Sequence, residues 1–223
     1  MRNFEDVVKR FEALSKPQNL VLPGKDAHFT MAPTKRIHDM ELFMQNPVSP
    51  DTRLGAVLIL VFPSAQNKPG LCLMRRPLYA GVHSGQIGFP GGKMEEIDAG
   101  DLMRTALREA HEEVNIEPRL VKNSIAISKL YIPPSRFLVH PFLAYSEETP
   151  QFIPDPAEVE EILLLPLHEL FEKHRVKYTD MPIANGKIKN YPYYDFSVGM
   201  VWGATAMIMA EVAKLLNPDE FSL

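Results

Sequence analysis

Apolar residues recur along this chain at spacings that alternate between helical and extended patterns. A stripe at helical spacing predicts an amphipathic helix over residues 3–16. Residues 54–62 are apolar almost throughout, which is typical of a central strand buried on both faces. Further strands are predicted over residues 71–76, 86–89, 125–132, 137–145 and 159–165.

Two more helices and a hairpin complete the predicted pattern. One helix is predicted over residues 101–114, with Asp101 as its N-cap. A β-hairpin is predicted around Asn185-Gly186, a pair that favours a tight turn. A terminal helix over residues 201–216 carries one apolar stripe and is expected to pack on the core. Because helices and strands interleave, we expect an α/β fold, an α/β/α sandwich around a mixed β-sheet.

The length of 223 residues and the apolar content of 45% allow one domain with a sizeable core. After the first helix, the chain is rich in proline and polar residues up to residue 50. We therefore divide it into an N-terminal helical and irregular extension, residues 1–50, and a main domain, residues 51–223.

Charge and composition narrow the classes of partner. The net charge is −4 and no basic block stands out, which argues against nucleic acid as the main partner but is compatible with a single nucleotide. No stretch approaches the roughly 18 apolar residues of a membrane-spanning helix. The N-terminus lacks an apolar signal region, so we expect no membrane partner and a cytoplasmic location. The lone cysteine, Cys72, lies in an apolar run, which predicts a buried thiol.

An acidic cluster on the predicted helix 101–114 carries the strongest chemical signal. Glu109, Glu112 and Glu113 follow the i, i+3, i+4 spacing, so they share one helical face. Like charges at this spacing destabilise a helix by about 0.2–0.5 kcal/mol per pair. A hard divalent cation such as Mg²⁺ turns the repulsion into coordination, because it prefers carboxylate oxygens. A solvated acidic surface is the alternative interpretation of the helix taken alone.

A glycine pair, Gly91 and Gly92, precedes this helix. Without side chains, these residues let the backbone pass close to the acidic face and direct a carbonyl group at a bound cation. The pair therefore favours a metal site over a solvated surface.

The segment from residue 92 to residue 116 resembles the Nudix box, G-x5-E-x7-R-E-U-x-E-E-x-G-U, in which U is a bulky aliphatic residue. The positions that match as they stand are Gly92, Arg108, Glu109, Glu112, Glu113 and Ile116. The acidic core of the motif is therefore intact.

The departures from the motif lie in its spacer and at two helical positions. The spacer between Gly92 and Arg108 is two residues longer than that of the motif, and Asp98 stands where the first Glu is expected. Asp98 is either a substitute for that Glu or a loop residue, and the sequence leaves both open. Ala110 replaces the bulky aliphatic residue. Asn115 replaces a glycine that ends the helix in the left-handed conformation, which Asn tolerates best after glycine.

The resemblance implies the α/β/α Nudix fold and a site for Mg²⁺ or Mn²⁺. The metal ligands would be the carbonyl oxygen of Gly92 and the carboxylates of Glu109, Glu112 and Glu113. Arg108 would orient these carboxylates. Arg108 and the three glutamates are thus the predicted catalytic residues, and replacement of Glu112 or Glu113 by Gln is expected to remove most of the activity.

Residues 72–92 resemble a second motif, L-L-T-x-R-[S/A]-x3-R-x3-G-x3-F-P-G-G, of the coenzyme A pyrophosphatase branch. The matching positions are Leu73, Arg76, Gly85, Phe89, Pro90, Gly91 and Gly92, whereas Cys72, Met74, Pro77 and Gly81 depart. The resemblance implies substrate contacts for Arg76, His83 and Gln86, although His83 taken alone fits an ordinary loop residue equally well. Similarity to this branch extends over residues 54–216.

Downstream residues supply the last candidates. Glu158 and Glu160 are candidate general bases, since a carboxylate outside or inside the box must accept the proton of the attacking water. Trp202 is interpreted as a packing residue rather than a platform for a nucleobase.

Both motifs together imply metal-dependent hydrolysis of a diphosphate bond in a nucleoside-diphosphate-linked metabolite. The favoured substrate is coenzyme A or an acyl derivative, which would yield 3′,5′-ADP and a phosphopantetheine. ADP-ribose, a dinucleotide or a nucleoside triphosphate is the alternative substrate, and a non-catalytic nucleotide-sensing module is the alternative of another class. The expected partner is a small nucleotide-type molecule, and the oligomeric state stays open, with a homodimer among the options.

Gly81 occupies the position where the branch motif has an arginine. If that arginine grips an anionic part of coenzyme A, this chain lacks a charge-assisted hydrogen bond worth about 1.5–3 kcal/mol. Two outcomes fit this absence: the enzyme uses coenzyme A poorly and prefers another diphosphate, or a nearby residue supplies the charge. In the first case, Gly81→Arg is expected to raise kcat/KM for coenzyme A by about one to two orders of magnitude, with ADP-ribose hydrolysis unchanged. Steady-state kinetics measure this. No change in an enzyme already efficient on coenzyme A would show that Arg75, His83 or Lys93 supplies the charge.

Overall fold

The computed structural model describes residues 3–16, 18, 20–34, 36–38, 41, 51–64, 67–80, 83–183 and 186–217. Its helices include α1 (Phe4–Leu14), α2 (Lys25–His28), α3 (Leu102–Val114) and α4 (Gly203–Leu216). Its strands are β1 (Arg53–Pro63), β2 (Pro69–Arg75), β3 (Ile87–Gly88), β4 (Gly91–Lys93), β5 (Lys122–Ala126), β6 (Leu130–Ile132), β7 (Phe137–Tyr145), β8 (Glu161–Pro166), β9 (Val176–Ile183), β10 (Gly186–Phe196) and β11 (Gly199–Trp202). Within these residues, no helix is both long and hydrophobic enough to cross a bilayer.

A mixed sheet forms the centre of the fold, as predicted. Strand β1 runs parallel to β7 and antiparallel to β2 and β4. Strands β3 and β8 extend the sheet from β2, while β5 and β6 both pair with β7. A second, antiparallel sheet of β9, β10 and β11 contains the predicted hairpin, whose turn residues 184–185 lie outside the described residues.

Successive side chains of β1 point to opposite faces of the sheet and enter two different cores. Leu58 packs with Ala110 of α3 and with Cys72, whose thiol is fully buried, as predicted. Ile59 and Val61 enter the other core, which contains the buried side chains of α1 and α4. The sheet thus carries α3 on one face and α1 and α4 on the other, which confirms the α/β/α sandwich. It also explains why this strand is apolar throughout, since both of its faces are covered.

The N-terminal segment shares a core with the main body. Four side chains of α1 are buried together with those of α4: Phe4, Val7, Phe11 and Leu14. The ring of Phe11 packs edge to face on Tyr145 of β7, with centroids 5.1 Å apart. Nε of Arg10 donates a hydrogen bond of 2.7 Å to the carbonyl oxygen of Leu215. The described part of the predicted extension is therefore docked against the sheet and α4.

Strand pairing corrects two of the predicted elements. The strand predicted over residues 125–132 is two strands, β5 and β6, which pair with separate parts of β7. The terminal helix begins at Gly203 and not at Val201, because Val201 pairs with Tyr194 as part of β11. Gly203 has a φ of +65°, a conformation that glycine adopts without steric cost, so the chain turns directly from the strand into the helix.

A buried carboxylate joins the N-terminal segment to α4. Glu211 of α4 is fully buried. Its Oε1 accepts hydrogen bonds from the backbone N–H groups of Gly24 (3.1 Å) and Ser128 (3.4 Å), and its Oε2 lies 2.9 Å from Nε2 of His28. Burial raises the pKa of this carboxyl group, but its hydrogen-bond partners outweigh burial and hold the pKa of Glu211 below its ordinary value. Folding therefore stabilises the ionised form.

We expect Glu211→Gln to lower the free energy of unfolding at neutral pH by about 1.5–3 kcal/mol, the range for hydrogen bonds to a charged group. Because folding lowers the pKa of Glu211, this contribution is fully present above the ordinary glutamate pKa of about 4.3. It is lost as the pH falls through the lower folded-state value. Urea unfolding at several pH values measures both effects.

The matched control is Glu147→Gln, because Glu147 is exposed. Its stability should stay within about 0.5 kcal/mol of wild type. A Glu211→Gln protein as stable as this control at neutral pH would contradict the role given to the buried carboxylate.

Candidate active site

Helix α3, which carries the acidic residues, is capped at both of its ends. The carboxylate of Asp101 accepts hydrogen bonds from the N–H groups of Met103 (2.9 Å) and Arg104 (3.4 Å), so Asp101 is the N-cap, as predicted. Asn115 follows the helix at a φ of 59°, the left-handed conformation expected where the motif has glycine. Its N–H donates to the carbonyl oxygen of His111 over 2.9 Å. The acidic residues therefore lie on a helix that is fixed at both ends.

Strand β4 has glycine at two positions where it lies close to its neighbours. A Cβ atom at Gly91, where φ is +148°, would lie 2.6 Å from the Cα atom of Val57, so only glycine fits against the backbone of β1 there. A Cβ atom at Gly92 would lie 2.6 Å from Oε1 of Glu109, so a larger residue there would displace the Glu109 carboxylate. The sheet edge can therefore reach the carboxylates of α3 here.

The carboxylate of Glu113 is buried against this glycine pair. Its Oε2 accepts a hydrogen bond of 2.7 Å from the N–H group of Gly91. Its Oε1 accepts no hydrogen bond from the described residues, and a guanidinium nitrogen of Arg76 lies 3.7 Å away. Burial raises the pKa of Glu113 to about 8, against the opposing effects of Arg76 and the Gly91 N–H group. Because a buried oxygen without a partner is costly, this atom suits a ligand that the described residues do not supply.

Three carboxylates converge at this point. Glu109, Glu113 and Glu158 each offer one oxygen, and these oxygens all lie within 4.8 Å of one another. Glu109 and Glu113 come from successive turns of α3, whereas the exposed Glu158 comes from the loop before β8. Glu112, a predicted ligand, lies outside this group, with 57% of its side chain exposed. Glu160, the other candidate base, also lies outside it.

Arg108 ties the acidic helix to the loop that precedes it. Its Nε and Nη2 donate to the two oxygens of Asp98 at 2.9 and 3.0 Å, and its Nη1 donates to Glu109 (3.0 Å) and Glu112 (2.9 Å). Asp98 is buried and also accepts a hydrogen bond of 2.9 Å from the hydroxyl group of Thr105. The contacts with Arg108 chiefly hold the pKa of Asp98 below its usual range. The structure therefore shows Asp98 in a buried ion pair with the arginine of the box, and not as an unpartnered loop residue.

The carboxylates open into a cleft of about 1070 Å³. The residues predicted to contact substrate, Arg76, His83 and Gln86, all line this cleft. Nδ1 of His83 and Oε1 of Gln86 are 3.1 Å apart, so these two side chains hold each other at the wall. Gly81 lies outside the described residues, while Lys93, one alternative source of positive charge, lines the cleft.

The cleft also contains residues that the sequence analysis did not assign to it. Arg36 lines it from the N-terminal segment, and strands β9 and β10 contribute Met181, Ile188 and Tyr191. Trp202 lines the cleft as well, and its ring packs edge to face on Tyr191, with centroids 5.6 Å apart. No local sequence signal marks these residues, because only the tertiary fold brings their segments to the acidic helix.

These groups fit a hard divalent cation. The donor set consists of carboxylate oxygens, which Mg²⁺ and Mn²⁺ prefer. Oε1 of Glu113 lacks a hydrogen-bond partner among the described residues, so this buried oxygen is available to a cation. A cation would also relieve the repulsion among three like charges that lie within 4.8 Å.

Known proteins with similar sequences are Nudix proteins. The NUDIX domain matches residues 52–184. The chain is 32% identical over 167 residues to Nudix hydrolase 15, mitochondrial, of Arabidopsis thaliana, covering 72% of this chain and 58% of the relative. It is 32% identical over 167 residues to the uncharacterized Nudix hydrolase NudL of Photorhabdus laumondii subsp. laumondii, covering 75% and 87%. It is 34% identical over 120 residues to the peroxisomal coenzyme A diphosphatase ndx-8 of Caenorhabditis elegans, covering 53% and 50%.

The match thus spans little more than half the length of the plant relative and half that of the nematode relative. The family domain nevertheless covers more than half of this chain and includes the whole acidic helix and the glycine pair before it. The mixed sheet between helices that the structure of this chain contains agrees with that assignment. The chain belongs to the Nudix hydrolase family.

Proposed function

We propose that this Nudix hydrolase cleaves a diphosphate bond in a nucleoside-diphosphate-linked metabolite, with coenzyme A or an acyl-coenzyme A as the favoured substrate. The observation that carries the proposal is the convergence of Glu109, Glu113 and Glu158 within 4.8 Å at a cleft of about 1070 Å³. Carboxylates in this arrangement are suited to Mg²⁺ or Mn²⁺, which we propose as the cofactor.

The proposed ligands are the carboxylates of Glu109 and Glu113 and the carbonyl oxygen of Gly92, with Glu158 beside them. A cation held there would supply positive charge against the diphosphate and would make the attacking water more acidic. Arg76 and Lys93 line the same cleft, so their positive charges are available to pair with diphosphate oxygens.

Arg108 is the proposed positioning residue of the site, and Glu158 is its proposed proton acceptor. Arg108 holds the carboxylate of Glu109 through its hydrogen bond of 3.0 Å. Glu158, the exposed member of the group, is the proposed acceptor of the proton that water releases as it attacks phosphorus. The bridging P–O bond breaks in the same reaction, and the leaving phosphate carries the electron pair away. For coenzyme A, the products are 3′,5′-ADP and a phosphopantetheine.

The preference for coenzyme A is supported by the residues of the second motif and by one relative. Arg76 lines the cleft, and ndx-8, named a coenzyme A diphosphatase, is 34% identical over 120 residues. His83 and Lys93, two of the alternative sources of charge for the missing arginine at Gly81, line the cleft. Nε of Arg75, by contrast, donates a hydrogen bond of 3.1 Å to Glu161.

A hydrolysis screen of the full chain tests the proposal. Coenzyme A, ADP-ribose, NADH and dinucleoside polyphosphates are incubated with the protein and Mg²⁺ or Mn²⁺, and the products are identified by mass spectrometry. The proposal expects metal-dependent release of 3′,5′-ADP from coenzyme A. Turnover of ADP-ribose without turnover of coenzyme A would overturn the favoured substrate. Binding of one nucleotide with no turnover of any would identify a sensing module instead.

The two adjacent glutamates of α3 give a matched pair of variants. We expect Glu113→Gln to lower kcat/KM by roughly 100-fold or more. This loss exceeds the usual one for replacing a residue that only hydrogen-bonds to a metal ligand, which is roughly 10–100-fold. Its melting temperature without metal should hold, because burial already favours the neutral carboxyl group, which the amide resembles. Glu112→Gln should cost less activity, since Glu112 is exposed and outside the carboxylate group.

Kinetics beside thermal melts with and without Mn²⁺ measure both variants. The stabilisation that Mn²⁺ gives the wild type should disappear in Glu113→Gln, because a ligand stabilises only the state that binds it. An active, well-folded Glu113→Gln enzyme with a normal Mn²⁺ shift would rule out the metal site described for α3.

A further inference from the structure

The cleft is larger than its charged part requires. Its volume of about 1070 Å³ lies at the upper limit of the range of roughly 300–1,000 Å³ for small-molecule sites. The three carboxylates, Arg76 and Lys93 all come from α3, β4 and the loops that follow β2 and precede β8. The rest of the cleft is built by other elements.

Part of this remaining wall is apolar and comes from the small sheet and α4. It is lined by Met181 of β9, Ile188 of β10 and Ile208 of α4. Val57, by contrast, pairs with Gly91 and lies beside the carboxylates. We call Met181, Ile188 and Ile208 the aliphatic-side wall. It is continuous with the candidate active site, because both belong to one cleft.

The chemistry of this wall favours an aliphatic ligand group over a nucleobase. Met181, Ile188 and Ile208 offer side chains without strong hydrogen-bonding atoms, so a nucleobase packed against these three residues would receive no hydrogen bonds from them. The rings of Tyr191 and Trp202 are perpendicular, with an interplanar angle of 90°, so they do not form parallel faces that could sandwich a base.

We propose that the aliphatic-side wall binds an aliphatic arm that the substrate carries beyond its diphosphate. A fatty acyl chain in thioester linkage to pantetheine has this chemistry. Ile188 and Ile208 lie beyond the matched NUDIX domain, which ends at residue 184, so elements C-terminal to that domain contribute to the wall. The inference rests on the proposed function for the diphosphate end, while the wall itself can be tested with the arm alone.

The first test is the dependence of catalysis on chain length. Wild type is assayed with Mn²⁺ on coenzyme A and on its acetyl, butanoyl, hexanoyl and octanoyl thioesters. A buried methylene contributes up to about 0.8 kcal/mol, or about fourfold in affinity. We therefore expect kcat/KM to rise by about tenfold or more from the acetyl to the octanoyl thioester.

The second test measures binding without turnover. S-octanoyl-pantetheine carries the arm but no diphosphate, and calorimetry compares its binding with that of pantetheine. The proposal expects S-octanoyl-pantetheine to bind at least about tenfold more tightly, again from buried methylenes. Competition between this probe and 3′,5′-ADP would assign the wall to the nucleotide and overturn the proposal.

Variants locate the effect in the wall. Ile188→Asn should cut the octanoyl-to-acetyl ratio of kcat/KM by about tenfold, because it places an amide where methylenes would be buried. Ala204→Phe, at another lining position in the first turn of α4, should shift the preferred chain to a shorter length. Met200→Asn is the matched control, because Met200 lies on β11 of the same small sheet, is 41% exposed and does not line the cleft.

The outcomes separate this inference from the proposed function. A flat chain-length series together with no binding of S-octanoyl-pantetheine overturns the proposal. So does a chain-length preference that survives both Ile188→Asn and Ala204→Phe with normal melting temperatures. Binding of the probe that weakens in Ile188→Asn supports the wall even if coenzyme A is not hydrolysed, in which case the proposed function alone fails.

Discussion

The approach of helix α3 to two residues without side chains in β4 is the constraint on which the site depends. The short distance between α3 and β4 allows the hydrogen bond from Gly91 to Glu113. It also places the Glu109 carboxylate directly over Gly92. Because helix and strand nearly touch, carboxylates from one face of the sheet reach a cleft whose apolar wall is built on the other face. A side chain at Gly91 would clash with the backbone of β1, and a side chain at Gly92 would displace the Glu109 carboxylate, so either would disturb the acidic group.

Holding these carboxylates together opposes folding, and the surrounding structure offsets that cost. The raised pKa of Glu113 means that burial disfavours its ionised form, and one of its oxygens lacks a hydrogen-bond partner among the described residues. The opposing contributions are the burial of Ala110 and Val114 against the sheet and the paired hydrogen bonds between Arg108 and Asp98. The rigid parts of α3 therefore stabilise a group that is costly without a ligand.

Local patterns predicted the parts of the molecule that depend on local forces. The caps at Asp101 and Asn115 and the central strand follow from short stretches of sequence, and the structure contains them. The membership of the carboxylate group did not follow. Spacing puts Glu112 on the same helical face as its neighbours, but only the orientation of α3 on the sheet decides which carboxylates meet. Glu158 joins them through a loop whose path no local pattern encodes.

The two ends of the described chain meet over the same sheet, and this affects how the protein reaches its active form. The hydrogen bond from Arg10 to Leu215 spans 205 positions, and the one from Gly24 to Glu211 spans 187. Contacts of such long range form slowly, because a long loop must close before they stabilise anything. The acidic helix can therefore form early in folding, whereas the cleft that gives it a substrate is assembled last. During refolding, enzymatic competence should lag behind the recovery of helical structure.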